Sequence, residues 1–100
     1  MLIAIVDFTV ASENRANALA AILAAAPRVR SMPNNIGFDP YLHAVHSGSI
    51  RIFHEWEDMA SFDAYTSSPE FNGLSQHLRP LMTAQPVSRR MKADFFETIR

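Results

Sequence analysis

An α+β fold of element order β-α-β-β-α-β is predicted for this chain of 100 residues. Three observations predict it. A β-branched apolar run opens the chain, a hairpin pattern occupies its centre, and a helical stripe follows each of them. The length fits a single domain, residues 1–100. Forty-eight per cent of the residues are apolar and 19% are charged, an ordinary globular composition.

The elements follow in order. Leu2–Val10 reads LIAIVDFTV, apolar with almost no alternation, which suits a strand buried on both faces. Asp7 within it, and the lack of a basic leader, argue against a signal peptide. Ser12 is placed to cap the next helix, with Glu13 in its first turn. Ala16, Leu19, Ala20, Leu23 and Ala26 form that helix's apolar stripe. Pro27 ends or kinks it, with room for one more turn to Arg30. Pro33-Asn34-Asn35 reads as a loop with Gly37 as a hinge. Phe38–His46 and Ser49–Glu57 pair as a hairpin, joined at Ser47-Gly48 with Gly48 at positive φ. Asp58 caps a short helix ending near Tyr65 or Thr66. Ser68-Pro69-Glu70 starts another, with Phe71, Leu74, Leu78 and Leu81 on one side and Pro80 disturbing its end. Val87–Ile99 is the last strand.

This order is the ferredoxin-like one: four antiparallel strands with helices on one face. Helices cover only one face, yet the first strand is apolar on both. A second copy of the sheet is the simplest cover, so a homodimer is expected.

Charge narrows the partners. Nine basic residues face ten acidic ones, a net charge of −1, which provides no footprint for nucleic acid or an anionic membrane. No window approaches the ~20 apolar residues of a membrane span. The chain has no cysteine, which removes disulfides, zinc-thiolate sites, iron–sulfur clusters and thiol nucleophiles. A cytoplasmic location fits that usage.

The segment Gly37-Phe38-Asp39-Pro40-Tyr41, then Phe53-His54-Glu55-Trp56-Glu57-Asp58, then Ser61-Phe62 and Ser67-Ser68-Pro69-Glu70-Phe71, resembles the antibiotic biosynthesis monooxygenase family of dimeric α+β barrels. The resemblance covers nearly the whole chain. It implies a homodimer whose sheets face each other, and a pocket in each subunit between sheet and helices. Some relatives oxygenate anthrones or quinols without metal or flavin; others degrade haem, isomerise a sugar, or have no known reaction. Many relatives carry histidine where Tyr65 stands. The haem-degrading branch has tryptophan there, asparagine on the first strand, and histidine four residues after the Phe71 position. This chain has Tyr65, Asp7 and Ser75 in those places, so haem chemistry is not carried over.

The hairpin supplies the candidate site. A two-residue turn puts His43 opposite Ile52 and His46 opposite Ser49. Tyr41 and His43 then share a face with His54 and Trp56. Tyr65 and Phe71 close the other side, with Leu74 and Asp7 as further contacts. His54 is the candidate base or hydrogen-bond donor, Tyr65 the residue steering an oxygen atom, and Trp56 and Phe71 the packing surfaces. Each has a plainer reading: His54 and Trp56 as core, Asp7 paired with a basic residue across a dimer, Glu55 in an interface ion pair with Arg51 or Arg89. His43 and His46 point to opposite faces of a strand, so no metal site is expected. No glycine-rich phosphate loop precedes a helix, so no dinucleotide, and no other cofactor, is expected. The leading function is a cofactor-independent monooxygenase of a small aromatic, quinol- or anthrone-type substrate. A non-catalytic small-molecule-binding or stress-response dimer, and an isomerase on the same scaffold, are the alternatives.

Overall fold

A computed structural model describes residues 1–100. The strands are β1 (Leu2–Thr9), β2 (Asn35–Leu42), β3 (Ser49–Trp56) and β4 (Val87–Lys92). The helices are α1 (Arg15–Arg30), α2 (Met59–Thr66) and α3 (Pro69–Leu78), with single 3₁₀ turns at Ser12–Asn14 and Arg79–Leu81. The four strands form one antiparallel sheet in the order β2-β3-β1-β4. That is the ferredoxin-like arrangement the sequence predicts.

Local chemistry starts the two shorter helices as expected. The Asp58 carboxylate accepts the Ser61 N–H at 2.8 Å, and Ser68 Oγ accepts the Phe71 N–H at 3.2 Å, each replacing a bond the helix cannot supply. Pro69 occupies the first turn of α3, where its missing N–H costs nothing. Pro80 lies in the tightened turn that ends α3.

Four expectations fail, each for a physical reason. Ser12 does not cap: its hydroxyl meets Ser47 Oγ at 2.6 Å across the loop, and a 3₁₀ turn opens the helix. The buried face of α1 is Ala18, Ile22, Ala26 and Val29, while Leu23 is half exposed. Alanine on every side leaves the stripe undecided by pattern, and the sheet takes the face that carries the β-branched Ile22 and Val29 beside Ala18 and Ala26. Gly48 has a negative φ. It is needed for space: a Cβ there would stand 2.1 Å from the Val10 carbonyl oxygen, whose own residue donates N–H to Gly48 O at 2.9 Å. The last strand stops at Lys92, and Phe95, Phe96 and Ile99 lie exposed in the terminal segment beyond it.

The core lies between the sheet's inner face and the helices, with Trp56, Phe38, Ile22 and Val29 its largest fully buried side chains. Leu2, Ala4 and Phe8 of β1 point into it. Ile3 and Ile5 point to the other face and are only half covered within one chain. The double burial expected of β1 is therefore half met by the chain alone.

Candidate functional site

Register decides which side chains meet. In the β2–β3 ladder Phe38 opposes His54 and Tyr41 opposes Arg51, with a bulge between Asn35 and Gly37. The expected hairpin put Tyr41 opposite His54, three residues away. An odd shift reverses the faces. Its origin is the connection: residues 43–48 form a longer loop, in which His43 Nδ1 accepts the N–H groups of Val45 and His46, each at 3.0 Å. Tyr41 and His43 thus leave the inner face. They line a separate shallow depression with Asp7 and Arg51.

Asp7 also leaves the site. Its carboxylate takes a two-pronged pair from Arg51, 2.7 and 3.0 Å, and a longer one from Arg89 at 3.4 Å. All three stand on the outer face, Arg51 directly across from Asp7 and Arg89 diagonal to it, in register with Ile5. The hydrogen bond from Arg51 holds the Asp7 carboxyl below the usual carboxylate range. The pairing lies within one sheet, and it occupies the two arginines that Glu55 was expected to meet.

On the inner face the sheet and helices enclose a cavity of about 200 Å³. Its walls are aromatic and aliphatic: Phe8, Phe38 and Ile52 from the sheet, Phe62, Tyr65, Phe71 and Leu74 from the helices. The rings interlock around His54. Phe38 meets it edge-on at 5.3 Å and Tyr65 at 5.6 Å, while Phe62 lies 5.7 Å away. Tyr65 in turn stacks on Trp56 at 5.4 Å and meets Phe71 edge-on at the same distance. His54, Tyr65, Phe71 and Leu74 therefore come together as expected. Trp56 stands behind them, fully buried and outside the cavity wall.

The polar groups are few and oriented. Trp56 Nε1 donates to His54 Nδ1 at 2.8 Å. An indole N–H can only donate, so Nδ1 is the acceptor and the neutral ring carries its proton on Nε2. Burial, with the Arg90 charge assisting, pushes the His54 pKa down to about 4. Burial also pushes the Tyr65 hydroxyl up, which keeps it a phenol. No side-chain polar atom is sealed away without a hydrogen bond. His54 Nε2 and Tyr65 Oη make none within the chain, so both keep an opening to the cavity they line. At neutral pH the site therefore presents hydrogen-bond donors, and His54 has no free lone pair to act as a base.

Sequence reasoning missed Arg90, Arg79, Ser88 and Phe62, all of which line the cavity. Alternation along Val87–Lys92 carries the signal for Arg90. Arg89 pairs outward with Asp7, so Arg90 turns inward, opposite the small Ala4, and its Cζ sits 4.8 Å over the Phe62 ring. His77 of α3 does not line the cavity; it meets Asn17 Oδ1 at 3.0 Å on the surface. No three histidine, aspartate or glutamate side chains converge as a metal donor set, and no helix is long and apolar enough to cross a membrane.

Residues 1–75 match the family model described as antibiotic biosynthesis monooxygenase. A solved structure described as an antibiotic biosynthesis monooxygenase is 19% identical, with a TM-score of 0.86 over 94% of this chain and 99% of that one. Rv0793 from Mycobacterium tuberculosis is 18% identical, with a TM-score of 0.86 over 96% and 98%. A conserved protein from Methanosarcina mazei Go1 is 15% identical, with a TM-score of 0.87 over 94% of each chain. At these identities the likeness is one of fold. No functionally curated protein matches the chain.

Proposed function

This chain belongs to the antibiotic biosynthesis monooxygenase family, and on that premise we propose that it is a cofactor-independent monooxygenase of a small, quinol-type aromatic. One observation carries the reading. A ring-lined cavity holds two hydrogen-bond donors, His54 Nε2 and Tyr65 Oη, that have no partner of their own. At about 200 Å³ it is smaller than the roughly 300–1,000 Å³ of drug-sized sites, which favours one or two rings over an extended polycycle.

The chemistry follows from the donors. A quinol bound with an oxygen against His54 Nε2–H and Tyr65 O–H ionises more readily, because both donors stabilise its anion. The proton leaves to solvent. The electron-rich anion gives dioxygen four electrons: the O–O bond breaks, one oxygen atom replaces a ring hydrogen as a hydroxyl, the other leaves as water, and the quinol ends as a hydroxyquinone, so that quinol plus dioxygen equals hydroxyquinone plus water. His54 acts here as a donor to the substrate oxygen, and Trp56 acts through His54 by holding its tautomer. Phe38, Phe62 and Phe71 hold the ring in a dry environment.

The functional unit we propose is a homodimer joined sheet to sheet. Ile3 and Ile5 on the uncovered face, together with exposed Val87 and Met91 on β4, support it.

Oxygen uptake with hydroquinone, without added metal or flavin, tests the activity. His54→Phe keeps the ring volume and removes the donor. It should lower kcat on the order of 100-fold while circular dichroism stays native. Hydroquinone binding without oxygen uptake would instead favour the non-catalytic binding role, which the lack of a resident base also supports.

A further inference from the structure

We propose that the cavity selects an acidic aromatic, a ring bearing a carboxylate that Arg90 and Arg79 receive at the cavity wall. The inference rests on the reading of this cavity as a small-molecule site and adds the charge of its occupant.

The cavity wall contains two arginines and no aspartate or glutamate. Outside the cavity three arginines pair with acid, Arg30 with Asp39 and Arg51 and Arg89 with Asp7, while Arg15, Arg28 and Arg100 make no ion pair. Neither Arg79 nor Arg90 has a carboxylate within ion-pair reach. Arg90 is the better placed of the two. It stands on the inner face of β4, its guanidinium 4.8 Å above the Phe62 ring, so the ring face presents the cation toward the ring cluster. Its charge also reaches His54, helping to depress that ring's pKa. A guanidinium offers two parallel N–H donors that match a carboxylate. Arg90 is exposed, so an incoming anion displaces water rather than a protein acid. Ser88 and Ser75 also line the wall and supply neutral hydroxyls beside the charge. An aromatic acid therefore finds a cation at one end and the two donors, His54 and Tyr65, among the rings.

Calorimetric titration with 2,5-dihydroxybenzoate and with hydroquinone tests this. The two differ only in the carboxylate. The acid should bind about tenfold more tightly at low salt, and that advantage should shrink as salt rises. Arg90→Gln should remove most of the advantage and leave hydroquinone affinity within about twofold; Arg90→Lys should retain part of it. Arg79→Gln should give a smaller loss of the same kind. Equal affinities, weaker binding of the acid, binding of neither compound, or an Arg90→Gln variant that weakens both alike would overturn the proposal. Binding is read apart from turnover, so acid preference without oxygen uptake would sink the oxygenase reading alone. Oxygen uptake with no acid preference would sink this inference alone.

Discussion

His54 and Trp56 are two residues apart on one strand face, and their contact governs the site. Neutral His54 accepts the indole N–H; protonated, it would turn a second N–H toward it. Burial, with the Arg90 charge assisting, makes the folded protein resist charging His54, whose pKa falls from 6.5 to about 4. An unfolded chain takes up that proton near pH 6.5, so it binds more protons than the native state below that pH. The stability from neutral His54 is complete above about pH 6.5 and is lost as pH falls toward 4. We expect urea denaturation to show a loss of roughly 2–3 kcal/mol between pH 7.5 and 4.5, with most of it absent in His54→Leu. The same assignment predicts a kcat profile with no acid limb near pH 6.5; a limb there would return His54 to the role of base. Trp56→Ala removes the largest fully buried side chain and the partner of His54 Nδ1. It should cost about 3–5 kcal/mol in chemical denaturation. Trp56→Phe should cost less and still disturb the His54 tautomer, visible as a changed His54 pKa by NMR.

At the scale of elements, two glycines give opposite expectations. Gly48 begins the approach of β3 to the end of β1, where a Cβ would collide with the Val10 backbone. Gly48→Ala must push the strand ends apart and should destabilise by about 2 kcal/mol or more. Gly73 sits in α3 with open space around it, and a Cβ there would meet nothing within 4 Å. Gly73→Ala should stabilise by about 0.5–1 kcal/mol, since alanine loses less backbone entropy in a helix. Thermal melts of both variants check the pair. Equal signs would mean that Gly48 tolerates a side chain by loop movement. The helices that begin at Asp58 and Ser68 rest on side-chain caps encoded within a few residues, which is why the sequence alone makes them legible.

At the scale of the molecule, one face of the sheet is covered by helices and the other carries half-covered Ile3 and Ile5 around the Asp7–Arg51–Arg89 cluster. A sheet-to-sheet dimer would bury that apolar area and dry the ion pairs at its centre. We expect light scattering at micromolar concentration to give twice the 11.2 kDa chain mass, with an interface above about 2,000 Å² in total. A stable monomer would leave the outer face unexplained and remove the dimer from the proposal.

By itself the sequence determined the element order, the ferredoxin-like sheet, two helix caps, and His54, Tyr65, Phe71 and Leu74 as neighbours of one cavity. These follow from local rules: β-branched runs, cap residues, and period two on β3. The tertiary structure alone decided three things. It chose the buried face of α1, because an alanine-rich helix has no dominant stripe until a sheet is laid against it. It set the β2–β3 register through a loop closed by His43 and a backbone contact between Gly48 and Val10, residues distant in sequence, and so moved Tyr41 and His43 to the outer face. And it turned His54 from a candidate base into a donor, because the proton's place on the ring depends on where the Trp56 N–H points, which no spacing along the chain reveals.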